Sequence, residues 1–155
     1  MSDVKVFGGS GITVDLYQFI RELLPPGKTI LELGSGDVST RYLSEVYKVF
    51  SVEDKPEWLN KHKATYIHAP LVKGWYDVDV LNVAMPKDYD LILVDGPTGE
   101  GNRIGFFHHL EIFNTKVPII FDDTNRTGEW YLAQSVAAFL GRPAVFHSTF
   151  AILMP

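Results

Sequence analysis

Apolar residues along this chain form short continuous runs, separated by stretches in which they recur at about every third or fourth position. Continuous runs are typical of strands that a parallel sheet buries on both faces, and the wider spacing is typical of helices. The predicted strands cover residues 29–33, 48–53, 65–72, 89–95 and 117–121. The predicted helices cover residues 13–24, 38–47, 103–115 and 127–140, with a short helix at 56–61.

Polar and turn-forming residues mark several of these boundaries. Thr13 is placed to cap the first helix, which ends at Pro25-Pro26-Gly27, and Gly141 follows the last helix. No helix is predicted between residues 73 and 87, and the tail has room for two short strands. The residues of the last helix that we expect to face inward are Trp130, Ala133, Val136, Ala137 and Leu140.

The alternation of strands with helices predicts an α/β fold. We expect a Rossmann-like, doubly wound and mainly parallel sheet of seven strands, with helices on both faces. At 155 residues, the chain is most simply one domain spanning residues 1–155. In such sheets, ligands bind beyond the carboxyl ends of the strands, near the switch point beside the first strand.

Composition and charge exclude several classes of function. The net charge is −5 and there is no run of lysine or arginine, so we expect neither nucleic acid nor a membrane as a partner. The first ten residues lack the apolar core of a signal peptide, which together with the absence of cysteine predicts a cytoplasmic protein. The absence of cysteine also excludes disulfides, thiolate metal sites and a cysteine nucleophile.

The segment TILELGSGDVST, residues 29–40, combines a buried strand, a glycine turn and the start of a helix. Glycine suits such a turn because a Cβ would block a tight bend and a closely bound ligand, and the helix presents free N–H groups over it. The next strand ends in Glu53, 19 residues beyond Gly34, where a carboxylate suits the two hydroxyls of a ribose. These features predict a binding site for a nucleoside cofactor.

The residues around the turn distinguish between two cofactors. A dinucleotide fingerprint has the form G-x-G-x-x-G, but Ser39 stands where its third glycine would be. Glu32 and Asp37 flank the turn, where carboxylates would repel a pyrophosphate and attract an ammonium or sulfonium group. The sequence therefore favours S-adenosylmethionine over NAD, with an NAD-dependent oxidoreductase as an alternative.

Glu32, Gly34 and Gly36 resemble motif I of the class I S-adenosylmethionine-dependent methyltransferases, written (D/E)-x-G-x-G. The resemblance covers roughly residues 12–155 and implies that the last strand of the sheet is antiparallel. It also implies that Glu32 and the glycine turn hold the methionine part of the cofactor. Trp58 is placed either to stack on the adenine or to pack in the core. The cofactor-binding residues that we expect are Glu32, Gly34, Ser35, Gly36, Glu53, Asp54, Trp58 and Asp95.

Three aspartates follow the ends of two later strands. Asp95 ends one strand and Asp122-Asp123 ends the next, so their carboxylates should converge and repel one another unless a cation or a proton intervenes. The arrangement resembles the magnesium-dependent catechol O-methyltransferases, which implies Mg²⁺ bound by Asp95, Asp122 and Asp123. The alternative is that Asp122 or Asp123 caps the last helix or a turn, and that Asp95 begins the turn at Gly96-Pro97.

Four blocks in order resemble the plant glucuronoxylan 4-O-methyltransferases and related small bacterial proteins. They are LELGSGDVST, SVEDKPEW, YDLILVDGPTGEGNR and DDTNR. This resemblance implies a sugar-like or other hydroxylated acceptor, with Asp95 as the general base. Arg103 and Arg126 would hold the substrate or order the loops, since an arginine can bind a uronate carboxylate with two hydrogen bonds. The expected catalytic residues are Asp95, Asp122 and Arg126.

The sequence thus predicts an S-adenosylmethionine-dependent methyltransferase that methylates an oxygen of a small-molecule or carbohydrate acceptor. The alternatives are the oxidoreductase and a non-enzymatic, cofactor-binding subunit of a complex. A homodimer would make a second copy of the chain a further partner. Trp75, Tyr76 and Trp130 are candidates for lining an acceptor pocket, although packing is the simpler expectation for each.

Overall fold

A computed structural model describes Lys5, Phe7, Gly9 and residues 11–155 of the chain. The segment 1–10, which lacks a signal-peptide core, lies largely outside the described residues. The helices are α1 (Val14–Leu23), α2 (Ser39–Ser44), α3 (Val78–Ala84), α4 (Gly105–His108) and α5 (Thr127–Leu140). The strands are β1 (Thr29–Leu33), β2 (Lys48–Glu53), β3 (Thr65–His68), β4 (Leu71–Val72), β5 (Trp75–Tyr76), β6 (Leu91–Val94), β7 (Ile119–Asp122), β8 (Ala144–Phe146) and β9 (Phe150–Leu153).

Seven of these strands form one sheet in the order β3-β2-β1-β6-β7-β9-β8. The first five are parallel to one another, and β9 is antiparallel to both β7 and β8. The order reverses direction at β1, which is the switch point of a doubly wound sheet. The predicted fold class is confirmed, including the antiparallel last strand. β4 and β5 form a separate antiparallel pair.

Alternating residues of the central strands supply two separate cores, one on each face of the sheet. In β6, Ile92 and Val94 pack into one core while Leu91 and Leu93 pack into the other. The first core is covered by residues of α3, α4 and α5, and the second by residues of α1 and α2. Burial on both faces explains why the central strands are continuous apolar runs.

The register of the sheet brings four strand ends to one edge. Leu33 of β1 lies opposite Val52 of β2 and Val94 of β6, and Val94 lies opposite Phe121 of β7. Because neighbouring strands lie about 4.8 Å apart, the residues that follow these four positions form one row. This row is the edge at which the sequence predicted a ligand.

The connection between β3 and β6 contains a helix that was not predicted. Residues 78–84 form α3, with Asp77 as its N-cap. The helix was missed because it is short and contains three valines, whose helix propensity is low. The predicted strand 65–72 is divided into β3 and β4, and the pairing of β3 ends at His68, just before Pro70, which cannot donate to the ladder.

Two other segments on the same face of the sheet also differ from the prediction. The segment 103–115 forms α4 between two short 3₁₀ turns, at residues 102–104 and 110–112, rather than one helix. A Cβ on Gly105 would lie 2.2 Å from Trp75 Cγ, so a side chain at this position would displace the indole. Trp130 was expected to face inward but is 39% exposed and stacks on Phe146 at the surface.

Within the part of the chain that the structure describes, no helix has the length and apolar character needed to cross a membrane.

Candidate active site

A cavity of about 900 Å³ opens at the carboxyl edge of the sheet. Its walls come from the ends of β1, β2 and β6, the loop after β7, the first turn of α5 and the loop 96–101. The predicted site residues that line it are Gly34, Ser35, Gly36, Glu53, Asp54, Trp58, Asp95, Asp123, Arg103 and Arg126. Glu32 and Asp122 do not line it, and both are buried beside it.

The glycine turn lies directly against the end of β6. Gly34 has a φ of 99°, in the region that disfavours side chains, and a Cβ there would lie 2.5 Å from the backbone oxygen of Asp95. The Gly34 N–H donates to the carbonyl of Val52, which joins the turn to the end of β2. Glycine is therefore required at position 34 by backbone conformation and by the close approach of a second loop.

Glu32 supports the turn from beneath instead of entering the cavity. Its Oε1 accepts hydrogen bonds from Thr40 Oγ1 at 2.5 Å and Ser51 Oγ at 2.7 Å. Thr40 Oγ1 in turn accepts from the Gly36 N–H at 2.9 Å. Burial raises the pKa of Glu32, while these hydroxyls oppose the rise. Glu32 thus acts on the glycine turn through Thr40.

Glu53 lines the cavity with both carboxylate oxygens already hydrogen-bonded. Oε1 accepts from Ser35 Oγ at 2.5 Å, and Oε2 accepts from the Lys55 N–H at 2.9 Å. Each oxygen can accept a further hydrogen bond, so two ribose hydroxyls could bind without displacing these donors. Burial, followed by the interactions with Glu53, raises the pKa of the adjacent Asp54.

Trp58 lies at the same end of the cavity as Glu53. The Nζ of Lys61 sits 4.3 Å from the centre of its ring, a cation–π contact. Nearby, His62 Nε2 lies 3.0 Å from Oδ1 of Asp37, which also lines the cavity. These contacts fix the loop that follows β2. The stacking of Trp58 on an adenine stays a prediction.

Asp95, Asp122 and Asp123 form a carboxylate cluster at the ends of β6 and β7, with one oxygen of each within 4.8 Å of the others. Arg103 lies among them. Its Nη2 is 3.1 Å from Asp123 Oδ2 and 3.5 Å from Asp95 Oδ1, and its Nη1 donates to the carbonyl of Asp122. At the rim, Nη1 of the largely exposed Arg126 is 3.6 Å from Asp123 Oδ2.

Burial and mutual repulsion alter the protonation of this cluster. Burial, followed by repulsion from Asp122, raises the pKa of Asp95 well above its ordinary value, although Arg103 opposes the change. Burial, followed by repulsion from Asp123, raises the pKa of Asp122 to about 6. A carboxylate with a raised pKa is a stronger base than an ordinary one, which suits it to remove a proton near neutral pH.

The alternative structural role for these aspartates is seen only in part, because Asp123 begins a turn in which the Arg126 N–H donates to its carbonyl. The N-cap residue of α5 is Arg126, and no side chain makes a capping hydrogen bond there. The cluster suits Mg²⁺ in its oxygen ligands and its spacing. Arg103, however, already contacts two of the three carboxylates, so a bound ion would compete with a guanidinium.

Tyr76 and Glu129 are among the cavity residues that were not predicted as site residues. Tyr76 was considered only as a pocket-lining candidate, but its buried hydroxyl has no hydrogen-bond partner among the described residues. Glu129 lies on the first turn of α5 and was missed. The sequence did contain a signal, because Glu129 shares the inward stripe of Ala133 and Val136 at helical spacing, where a carboxylate is out of place.

No protein-family model matches the chain, and no curated protein sequence matches it. Solved structures do match. One is a TehB-like S-adenosylmethionine-dependent methyltransferase from Corynebacterium glutamicum, with a TM-score of 0.53 and 18% identity. The match covers 88% of this chain and 85% of that chain.

Two further matches were solved with ligands. The mycinamycin-pathway methyltransferase MycE, in complex with Mg, S-adenosylhomocysteine and mycinamycin VI, has a TM-score of 0.60 and 12% identity over 90% of this chain. The present chain spans only 44% of that chain. The 1,6-didemethyltoxoflavin-N1-methyltransferase of Burkholderia thailandensis, with its substrate and S-adenosylhomocysteine, has a TM-score of 0.51 and 12% identity, covering 90% of this chain and 75% of that one. The chain therefore has the fold of the class I S-adenosylmethionine-dependent methyltransferases.

Proposed function

We propose that this protein binds S-adenosylmethionine in the 900 Å³ cavity and methylates a hydroxyl oxygen of a small acceptor. One observation carries the proposal. A glycine turn, a strand-end carboxylate and a buried cluster of carboxylates line one cavity on a methyltransferase fold. The first two suit the cofactor, and the third suits removal of a proton from an acceptor.

The cofactor would lie along the ends of β2, β1 and β6. Glu53 would accept hydrogen bonds from the ribose hydroxyls, with its orientation fixed by Ser35 and Lys55. The Gly34–Gly36 turn would hold the methionine part, and Glu32 would fix the turn through Thr40. Asp54 and Trp58 would contact the adenosine from the loop after β2.

Catalysis would depend on proximity and on one base. When bound, S-adenosylmethionine supplies an electrophilic methyl group on a sulfonium. Asp95 would accept the proton of the acceptor hydroxyl, whose oxygen would receive the methyl group. Burial, followed by repulsion from Asp122, raises the pKa of Asp95 and so makes it a stronger base, while Arg103 opposes the rise. Arg126 positions the acceptor from the rim through its contact with Asp123.

A metal-assisted form of the same reaction is the second candidate, favoured by the convergence of three carboxylates. Asp95, Asp122 and Asp123 would hold Mg²⁺, which would lower the pKa of the acceptor hydroxyl and orient it. In that case Arg103 would release Asp95 and Asp123 to the metal. A dependence of activity on Mg²⁺ distinguishes this form from general-base catalysis alone.

Calorimetric titration with S-adenosylhomocysteine tests the cofactor, with and without Mg²⁺, and with NADH as the control. We expect micromolar binding of S-adenosylhomocysteine alone, and Mg²⁺-dependent binding would favour the metal. Binding of NADH instead would replace the proposal with an oxidoreductase. Tight binding without turnover on any hydroxylated acceptor would indicate a non-enzymatic subunit. No binding by folded protein would refute the proposed function.

A further inference from the structure

We infer that Glu129 is a specificity-determining residue that binds an ammonium group on the hydroxylated acceptor. The cavity would then favour amine-bearing acceptors, accept uncharged polyols less well and exclude acceptors that carry a carboxylate. The inference rests on the proposed function, since it names the class of acceptor that the same cavity takes. It also revises the expectation of a uronate held by arginine.

The first observation is that Glu129 has no partner. It is 8% exposed, it lines the cavity, and it has no hydrogen bond or ion pair within 4 Å among residues 11–155. Arg103 attracts it electrostatically without contact. Because its carboxylate lines the cavity and has no donor from the described residues, water or a ligand must supply its hydrogen bonds there, and the helix N-terminus provides only part of its stabilisation. A ligand in the cavity can provide the rest.

The second observation is the position of Glu129 on the acceptor side of the cavity. Glu53 ends β2, whereas Glu129 follows β7, and β1 and β6 lie between these two strands. Three strand spacings amount to roughly 14 Å. The nearest cavity residues in sequence are Asp123 and Arg126, which belong to the carboxylate cluster and its rim. Glu129 therefore faces the proposed acceptor and lies far from the ribose site.

The third observation is that the arginines here are already engaged. Arg103 is 7% exposed and contacts Asp95, Asp123 and the backbone of Asp122. Arg126 lies beside Asp123. With Glu129 included, the carboxylates outnumber the guanidiniums on this side of the cavity, even when the buried Asp95–Asp122 pair retains one proton. The local field attracts a cation and repels a carboxylate.

The test uses two series of probes, because an amine can be carried by an aromatic or a sugar acceptor. The aromatic series is dopamine, catechol and protocatechuate, and the sugar series is glucosamine, glucose and glucuronate. Binding to the wild-type protein is measured with S-adenosylhomocysteine at saturation. We expect the amine to bind best and the acid worst in at least one series. The expected difference is about ten- to a hundredfold, the usual effect of a hydrogen bond to a charged group.

The variant Glu129→Gln keeps the size of the side chain and removes its charge. We expect it to weaken binding of the amine probe about tenfold and to leave affinity for S-adenosylhomocysteine unchanged. The ratio of the affinity for the amine probe to the affinity for the acid probe should therefore decrease. Glu111→Gln, an exposed position outside the cavity, is the matched control. The ranking of probes on the wild-type protein does not depend on how the variant folds.

Several results would overturn the inference. One is that the acid probe binds best in both series. Another is that no probe binds to the complex with S-adenosylhomocysteine. A third is that Glu129→Gln has the same ratio of amine affinity to acid affinity as the wild-type protein. A variant with weaker affinity for S-adenosylhomocysteine would move Glu129 to the cofactor site. Each of these results leaves the cofactor proposal intact. Failure of the wild-type protein to bind S-adenosylhomocysteine would instead refute the proposed function, and this inference with it.

Discussion

The two halves of the cavity are built in different ways. In the half proposed to bind the cofactor (the cofactor half), at the ends of β1 and β2, Glu53 has a donor on each oxygen, both from residues near the glycine turn or the same loop. In the half proposed to bind the acceptor (the acceptor half), at the ends of β6 and β7, Asp95 and Asp123 both contact Arg103 from the connection after β6. Glu53 is thus satisfied by local donors, whereas the aspartates repel one another and share one buried guanidinium.

This difference separates binding from reactivity. A carboxylate held by one donor on each oxygen, such as Glu53, has a fixed orientation and suits the recognition of a constant cofactor. A buried cluster with raised pKa values is less stable when ionised and suits proton transfer. Substitutions in the two halves should therefore affect different measurements, with cofactor affinity responding in one half and turnover or pH dependence in the other.

The largest effect is expected at Asp95. Asp95→Asn removes the base, so we expect the kcat for the acceptor that binds best to fall by about 10² to 10⁴, with affinity for S-adenosylhomocysteine preserved. Asp88→Asn, on an exposed loop, is the control. Loss of cofactor affinity without loss of kcat would place Asp95 in the cofactor half. It would contradict the proposed division of the cavity into a binding half and a reactive half.

The point where the two halves touch should be almost as sensitive. Gly34→Ala forces a side chain into a conformation with positive φ and against the backbone of Asp95. We expect a loss of about 2–5 kcal/mol in the free energy of unfolding by urea, together with weaker cofactor binding. Gly128→Ala has open space around its Cβ and should be neutral or stabilising. Equal stability of the two variants would contradict the close contact.

The acceptor half should also lower stability as it ionises. Burial and repulsion from Asp123 raise the pKa of Asp122 from its ordinary value of 3.8 to about 6. At Asp122 the folded state therefore binds more protons than the unfolded state between these values, so the contribution of this residue to stability is greatest below pH 4 and is lost as pH rises through 6. At about 1.4 kcal/mol for each pKa unit, the decrease for Asp122 approaches roughly 3 kcal/mol.

Urea denaturation between pH 4 and 7.5 measures this decrease. Asp122→Asn should flatten the profile and make the variant the more stable protein at neutral pH. A similar slope in wild type and variant would mean that Asp122 is not the group that titrates. Added Mg²⁺ that restores stability only to the wild-type protein would favour the metal-assisted form.

The contrast between the halves also explains what the sequence could predict. The glycine turn and Glu53 line one cavity, as the sequence predicted, because their positions follow from spacing within one βαβ segment. The contacts of Glu32 could not be predicted, because its hydrogen bonds to Thr40 and Ser51 depend on how strand and helix pack. Asp95, Asp122 and Asp123 were expected to converge, since parallel strands end at one edge.

Contacts between distant segments were harder to predict. The sequence predicted that Arg103 holds substrate or orders the loops, but its guanidinium contacts the aspartates. This position depends on the path of the loop 96–104, which the sequence pattern does not reveal. Glu129 was overlooked because helical periodicity was applied to apolar residues alone. α3 was missed because it is only seven residues long and three of them are valines, which favour strands over helices.

Within the cofactor half, Glu53→Ala should weaken binding of S-adenosylhomocysteine by about 1.5–3 kcal/mol, the usual value for hydrogen bonds to a charged group. The substitution also leaves Ser35 and the Lys55 N–H without their acceptor. Calorimetry measures the change, and Glu57→Gln on the exposed side of the same loop is the control. Unchanged affinity would remove Glu53 from the cofactor site.

The smallest effect tests whether Glu32 works through Thr40. Thr40→Val keeps the shape of the side chain but removes the hydroxyl that donates to Glu32 and accepts from Gly36. We expect about 1 kcal/mol of lost cofactor affinity. Thr40→Ser keeps the hydroxyl and should retain most of the cofactor affinity of the wild-type protein. Thr40→Val could leave cofactor affinity unchanged while Glu32→Gln lowers it. In that case the Glu32 carboxylate contacts the cofactor directly, and not through Thr40. The cofactor half would then contain a carboxylate that, like those of the acceptor half, does not act through a neighbouring side chain.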